Sequence, residues 1–309
     1  MILKNRRESE ELKILRSLNA RASLDENGRN SYHSAEKGYE GEVLFDERVT
    51  AVRDHMVFIN DLLLEHQGSE FQIDSLAVSS RKIFHFEVKN YEGDFLIDEG
   101  KWRSPSGKEI KNPILQVSRA ASLIRQITEQ AGFRYPVESY LIFVNPEFHL
   151  DNPPAKTRSI VYPAQLNRFI YKLQNQPLKI SKSDIRLGEK LLSLHKESSD
   201  HSRIPEYKFE ELRKGIICPG CGEFYQEFNR LTVFCQHCKG RESCGLAVFR
   251  TVEEFRLLFP GLKITNNLVY GICDGLLSKK TIYRILSQHY KKIGYGNHSY
   301  YIDCNKNID

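Results

Sequence analysis

Two runs of alternating apolar and polar residues frame this chain. Phe71-Gln-Ile-Asp-Ser-Leu-Ala-Val and Ile83-Phe-His-Phe-Glu-Val-Lys-Asn are rich in Val, Ile and Phe. The polar turn Ser79-Ser80-Arg81-Lys82 separates them, so the pattern predicts two hairpin strands. Period-2 alternation puts Ile83, His85, Glu87 and Lys89 on one face of the second strand, and Phe84, Phe86 and Val88 on the other. Asp74 interrupts the first strand. Charged groups inside apolar strands are costly unless they are paired or bound to a metal, and the remaining pattern is read around them.

Before this pair, Leu12, Leu15 and Leu18 recur at helical spacing and predict an amphipathic helix over residues 9–22. Asp25 to Ala35, with Asn27-Gly28, predicts a loop. Gly38-Tyr39-Glu40-Gly41-Glu42 opens a second helix running to about His55 on Val43, Leu44, Val49 and Val52. Phe58 to Glu65 predicts a strand, and Phe95 to Arg103 a short hairpin around the only Trp. Asn112-Pro113 starts a helix striped by Ile114, Val117, Ala121, Ile124 and Ile127. Glu138 to Val144 predicts a strand buried on both faces, Ser159 to Tyr162 a further strand, and residues 163–173 and 183–196 two helices. Such alternation predicts an α/β domain over residues 36–175, a mixed sheet flanked by helices. An N-terminal helix and loop (1–35) precede it, and a helix and linker (176–210) follow. Two further modules are expected at 211–250 and 251–309.

Length and charge narrow the class. The 309 residues hold 45 Lys and Arg against 40 Asp and Glu, a net +5 that permits nucleic-acid binding without requiring it. No 18-residue apolar run is present, and the first residues lack a signal-peptide apolar core, so a cytoplasmic protein without membrane contact is expected.

Asp74, Glu87 and Lys89 offer a specific chemistry. Carboxylates on adjacent strands can hold Mg²⁺ through oxygen ligands. A lysine two residues beyond the second acid can activate water or stabilise phosphoryl transition-state charge. The same three residues are equally consistent with an ion pair between Lys89 and either acid. Four motifs, Gly38-x-x-Gly41-Glu42, Ile73-Asp74, Phe86-Glu87-Val88-Lys89-Asn90 and Asn112-Pro113-x-x-Gln116, stand in the order of the NERD (nuclease-related) domain. Residues 36 to 150 resemble that family, a branch of the PD-(D/E)xK restriction-endonuclease-like fold. The resemblance implies that Asp74 and Glu87 bind Mg²⁺ or Mn²⁺ and that Lys89 is the catalytic lysine. It further implies Glu42 as an auxiliary metal ligand or water-orienting acid, and Gln116 as a residue leaning into the same pocket. Asn90 is expected to cap the strand end or touch phosphate. His85 is an additional candidate on this face, with an ordinary sheet histidine as the alternative. Ile73 stands where the "PD" signature has proline.

Cys218-x2-Cys221-x13-Cys235-x2-Cys238 has the spacing of a structural Zn²⁺ site. Pro219-Gly220 and Gly222 suit the first knuckle, and flanking Phe-rich strands suggest a zinc ribbon. His237, Cys244, Cys273 and Cys304 are placed outside the ligand set. Beyond it, Leu268 to Cys273, a turn, and a helix from Ser278 to Tyr290 followed by Gly294 to Ile302 suggest a helix-turn-helix with a wing. Lys279, Lys280, Thr281, Tyr283 and Arg284 crowd the start of the second helix, where such proteins contact nucleic acid. Lys291, Lys292, Tyr295, Tyr300 and Tyr301 are assigned to the wing, and Ile282, Ile285 and Leu286 to the core. Together these features predict a metal-dependent nuclease acting on DNA, with homodimerisation one option. The alternative is a non-catalytic DNA-binding or regulatory protein that retains the fold.

Overall fold

A computed structural model of the chain describes residues 1–154, 159–199, 203–229 and 231–303. Two units are distinguished: Met1–Glu8 with Ser34–Ser202, and Ser9–His33 with Arg203–Asp309. After the short strand β1 (Ile2–Lys4) come helices α1 (Glu10–Arg21) and α2 (Glu26–Arg48). The segment expected to be a loop is therefore the start of α2. Asp25 explains the difference, because its Oδ1 accepts the Gly28 N–H at 2.7 Å and caps the first turn. Asn27-Gly28 is thus absorbed as helix rather than turn. The chain then tightens into a 3₁₀ segment, Val49–His55. Phe45, Val49 and Val52 are buried and Leu44 is exposed, so the buried stripe lies one residue beyond the expected Val43 and Leu44.

In the first unit, β2 (Val57–His66), β3 (Ser69–Ser79) and β4 (Lys82–Lys89) form an antiparallel meander. Ser80 and Arg81 both have positive φ, 51° and 59°, as a two-residue type I′ turn requires. A small sheet follows from β5 (Gly93–Asp98), β6 (Lys101–Arg103) and β7 (Glu109–Ile110). Next are α3 (Pro113–Gln130), β8 (Val137–Phe143), β9 (Phe148–Asp151), β10 (Ile160–Val161), α4 (Pro163–Gln174) and α5 (Lys182–Leu192). The main sheet is mixed, in the order β1-β2-β3-β4-β8-β10, with β1-β2, β4-β8 and β8-β10 parallel. The small sheet runs β7-β6-β5-β9.

Strand alternation divides the core as the pattern requires. Phe84, Phe86 and Val88 pack with Phe45, Val49, Val52, Leu166 and Ile170. Ile83, Leu76 and Val78 pack with Ile124 and Ile127 of α3 and Leu187 and Leu191 of α5. Both sheet faces are thereby covered, which accounts for the near-continuous apolar run of β8.

The second unit contains α1, β11 (Glu227–Phe228), β12 (Thr232–Phe234), β13 (Arg241–Ser243), α6 (Cys244–Leu258), α7 (Asn266–Ile272), α8 (Lys279–His289), β14 (Tyr290–Ile293) and β15 (Tyr300–Asp303). One apolar core joins Ile216, Tyr225 and Val233 to Val248, Phe255, Val269 and Ile282. Arg21 fastens α1 to it. Its guanidinium bonds both Glu254 oxygens at 2.8 and 2.7 Å and the Arg213 and Gly215 carbonyls at 3.0 Å, and lies 4.8 Å from the Phe255 ring centre. Such a buried guanidinium making four hydrogen bonds cannot be removed cheaply. Helix α6 is not foreseen by the sequence reading. No helix among the described residues is long and apolar enough to cross a membrane.

Candidate functional site

The β3–β4 ladder runs from Ser79↔Lys82 to Ser75↔Phe86. Beyond it a side chain replaces the backbone: Asp74 Oδ2 accepts the Val88 N–H at 2.8 Å. The register thus carries Asp74 to the stretch of β4 that holds Glu87 and Lys89. Lys89 Nζ lies 2.7 Å from Glu87 Oε1. Gln116, one turn into α3, donates its amide to the same oxygen. Asn112 sets that turn by accepting the Ile114 N–H at 2.9 Å, with Pro113 at the first helical position. Glu42 reaches the site from α2 and is held by Arg6.

Charge is concentrated here on buried side chains. Burial raises the Glu87 carboxyl to about 7, and the neighbouring Asp74 charge pushes the same way. Glu42 is raised to about 8, first by burial and then by Asp74. Asp74 is raised by burial against the opposing pull of Lys89 and the Val88 N–H. Burial works against the Lys89 ammonium, but Glu87 and Asp74 outweigh it, so its pKa lies above the ordinary lysine value. Lys89 is accordingly a fixed cation rather than a base at neutral pH.

The residues present fit a hard divalent cation. Asp74 and Glu87 supply oxygen donors on adjacent strands, and the buried Glu87 Oε2 has no hydrogen-bond partner. His85 is buried; its Nδ1 lies 3.2 Å from Ser139 Oγ, and its unpartnered Nε2 lies 4.0 Å from Glu87 Oε2. Burial lowers its pKa to about 4, so the ring is neutral. Asn90 serves the fold. Its Nδ2 donates to the Lys37 carbonyl of α2 at 2.9 Å, and its Oδ1 accepts from Asn145 at 3.1 Å.

Several participants escape the sequence reading. Arg6 bonds Asp46 through two nitrogens at 2.8 and 3.2 Å, Glu42, and the Asp74 carbonyl at 2.8 Å. Asp61, opposite Asp74, has φ +54°, and Lys4 binds its carbonyl at 2.7 Å. A positive φ in a strand marks a local break. Nothing in the charged run Lys4-Asn5-Arg6-Arg7-Glu8 distinguishes Arg6 before the fold is known.

In the second unit, the Cys218, Cys221, Cys235 and Cys238 sulfurs all lie within 4.8 Å of one another, a set able to hold a metal ion. Cys218–Cys238 and Cys221–Cys235 separations of 3.6 and 3.4 Å are close to the roughly 3.8 Å edge of a zinc–thiolate tetrahedron. Both knuckles repeat one geometry. Cys218 N–H bonds the Glu223 carbonyl and Cys235 N–H the Gly240 carbonyl, each five residues on, at 2.7 and 2.9 Å. Gly222 and Lys239, each following the second cysteine of its pair, have φ of +76° and +62°. The Cys238 backbone N–H leads the contacts that lower Cys235 to about 6. Cys244 instead points its thiol toward the Asn229 carbonyl at 3.9 Å. Cys273 is buried and held up to about 12, as an inert thiol should be; Cys304 lies outside the described residues.

Ser278 caps α8 by accepting the Thr281 N–H at 3.2 Å. Lys279, Lys280, Tyr283 and Arg284 are exposed, whereas Thr281 Oγ1 is engaged with Ser278 Oγ at 3.0 Å. Of the tyrosines assigned to the hairpin, Tyr295 is exposed but Tyr301 belongs to the core, where its N–H bonds the Ile264 carbonyl. Alternation along β15 accounts for this, because Tyr300 and Tyr301 must face opposite sides.

Comparison with family models matches residues 37–144 to the nuclease-related domain. No curated protein and no solved structure matches the chain. The match begins in α2, ends just after β8, and contains Glu42, Asp74, Glu87, Lys89 and Gln116. The strand pair that draws these side chains together thus lies at the centre of the stretch, residues 37–144, that matches the nuclease-related domain, NERD.

Proposed function

We propose that the protein is a metal-dependent nuclease that hydrolyses phosphodiester bonds in DNA. The observation that carries this reading is the convergence of Lys89 Nζ and Gln116 Nε2 on Glu87 Oε1, beside a second buried carboxylate, Asp74, within a nuclease-related domain. The mixed sheet is read as restriction-endonuclease-like. Asp74 and Glu87 would hold Mg²⁺ or Mn²⁺, which would polarise the phosphodiester and lower the pKa of bound water. Lys89, an obligate cation here, stabilises the charge that develops on the phosphoryl oxygens. Gln116 keeps the Glu87 carboxylate oriented, and Glu42, held by Arg6, serves as the water-orienting acid.

The second unit would bind DNA. Four cysteines holding Zn²⁺ would stabilise a ribbon-like module, and α7, α8 and the β14–β15 hairpin would act as a winged helix-turn-helix. Lys279, Lys280, Tyr283 and Arg284 are its outward-facing contacts. Cutting both strands of a duplex would take two sites, which a homodimer supplies. A cytoplasmic location suits such a substrate.

The test is a cleavage panel of single- and double-stranded DNA and RNA with Mg²⁺ or Mn²⁺. Asp74→Ala and Lys89→Ala should each reduce cleavage at least about 100-fold. Unchanged cleavage in either variant would refute the site assignment. Salt-dependent DNA binding without cleavage under either metal would favour a non-catalytic DNA-binding protein.

A further inference from the structure

The structure assigns Arg6, outside the matched nuclease-related stretch, as the positioning residue that fixes the acidic wall of the metal site. The inference rests on the nuclease reading above and concerns the same site. Arg6 is 4% exposed and reaches four acceptors on two elements. Its Nε and Nη2 bond the Asp46 carboxylate at 2.8 and 3.2 Å, its Nη1 bonds Glu42, and its Nη2 also bonds the Asp74 carbonyl at 2.8 Å. A single planar fork thereby ties α2, which carries Glu42 and Asp46, to the β3 residue whose side chain faces Glu87. A lysine at this position could supply charge but not four directed bonds.

A supporting layer holds the clamp. Asp46 Oδ2 also accepts from Asn60 Nδ2 at 3.3 Å, and Asn60 Oδ1 accepts from the buried Ser75 hydroxyl at 2.8 Å. Ser75 is the neighbour of Asp74. The network therefore grips β3 twice, through the Asp74 carbonyl and the Ser75 side chain, at the point where the β3–β4 ladder gives way to the Asp74 carboxylate. Charge agrees with this role. Glu42, Asp46, Asp61, Asp74 and Glu87 are balanced by Lys4, Arg6 and Lys89. The formal excess is two negative charges, which one divalent cation neutralises. Without Arg6 the Glu42 and Asp46 carboxylates would repel each other, and α2 would lose its link to Asp74.

The experiment is Mn²⁺ titration of the full chain by calorimetry, with urea unfolding measured in parallel. Outer partners that orient metal ligands are worth about 10- to 100-fold in affinity. Arg6→Lys, which keeps the charge and loses the fork, should therefore weaken Mn²⁺ binding at least about 10-fold. Asp46→Asn, which loosens Arg6 without altering any metal-facing residue, should shift affinity in the same direction. A purely structural Arg6 would lower the unfolding midpoint and leave Mn²⁺ affinity alone. Wild-type affinity in folded Arg6→Lys and Asp46→Asn overturns the assignment while leaving the nuclease reading intact. Failure of the wild-type protein to bind Mn²⁺ overturns both.

Discussion

Gly41 of α2 and Asn90 at the end of β4 meet so closely that a β-carbon on Gly41 would lie 2.5 Å from Asn90 Cβ. Val144 Cγ2 closes the same space at 3.3 Å, whereas a β-carbon on Gly38 would meet nothing within 4 Å. The two glycines of one motif therefore have different physics. Gly41→Ala should force α2 away from β4, with a stability loss of about 1–3 kcal/mol and reduced cleavage through displaced Glu42. Gly38→Ala should stabilise by up to about 1 kcal/mol by improving helix propensity. Urea unfolding of both variants checks this, and equal effects at the two positions would count against it.

That contrast marks how far the sequence could be read. The hairpin, its facing and the four-cysteine cluster were legible because alternation and spacing are local properties, whereas Asp74, Glu87, Lys89 and Gln116 were singled out as a set only through the resemblance to the NERD family. The helical start of α2 was not legible, because Asn27-Gly28 carries a turn signal that the Asp25 cap overrides. Helix α6 was hidden because the exposed Leu246 and Phe249 put apolar residues on its outer face and blur the helical stripe of Ala247, Val248, Thr251, Val252 and Phe255. Arg6 was invisible for a different reason. Its partners lie 36 to 68 residues away, and only the fold brings them together.

Metal-free stability should depend on pH in a specific direction. Glu42 and Glu87 have folded values near 8 and 7 against 4.5 when unperturbed. The folded chain therefore holds protons that the unfolded chain has released, and stability falls as pH rises through this window. His85 acts oppositely: its value, about 4 against 6.5, makes stability decline as pH falls below 6.5. Within this site only the carboxyls operate between pH 6.5 and 8, with a slope of at most about 1.4 kcal/mol per pH unit for each retained proton. Cys235, lowered to about 6 from 9, opposes them in the zinc-free second unit, so the comparison with Glu87→Gln isolates the site. Unfolding in buffer without added divalent cations should show that decline, and Glu87→Gln should flatten it. No difference between the wild-type and Glu87→Gln profiles would exclude the linkage. Added Mg²⁺ should restore more stability at pH 8 than at pH 6, because the cation binds the ionised carboxylates.

The cysteine cluster predicts one zinc per chain. Cys218→Ser or Cys235→Ser should abolish binding, while His237→Ala and Cys244→Ala should retain it. A site saturated a thousandfold above its Kd contributes about 4 kcal/mol, so zinc loss should markedly lower the unfolding midpoint. Lys239→Gly offers a control in the opposite sense. Its φ of +62° costs any residue with a β-carbon, and glycine there should be neutral or stabilising by up to about 1 kcal/mol. Metal analysis and thermal unfolding decide both points; full zinc content in Cys235→Ser would remove Cys235 from the ligand set.

The exposed face of α8 makes a quantitative prediction about salt. Each lysine that neutralises a duplex phosphate adds about 0.9 to the slope of log affinity against log salt concentration. Lys279 and Lys280 begin the helix directly after the Ser278 cap, and both side chains are exposed. Lys279 is also propped 5.2 Å from the Tyr270 ring centre, which aims it rather than leaving it to sweep solvent. If both contact phosphate, Lys279→Ala/Lys280→Ala should reduce the slope by about 2 and weaken binding uniformly across DNA sequences. Thr281→Ala should weaken the helix start without changing the slope, because its hydroxyl is turned to Ser278. Duplex titrations between 50 and 200 mM salt, roughly the range over which phosphate contacts dominate affinity, separate these outcomes. An unchanged slope in the double variant would mean that this face of α8 does not meet the backbone.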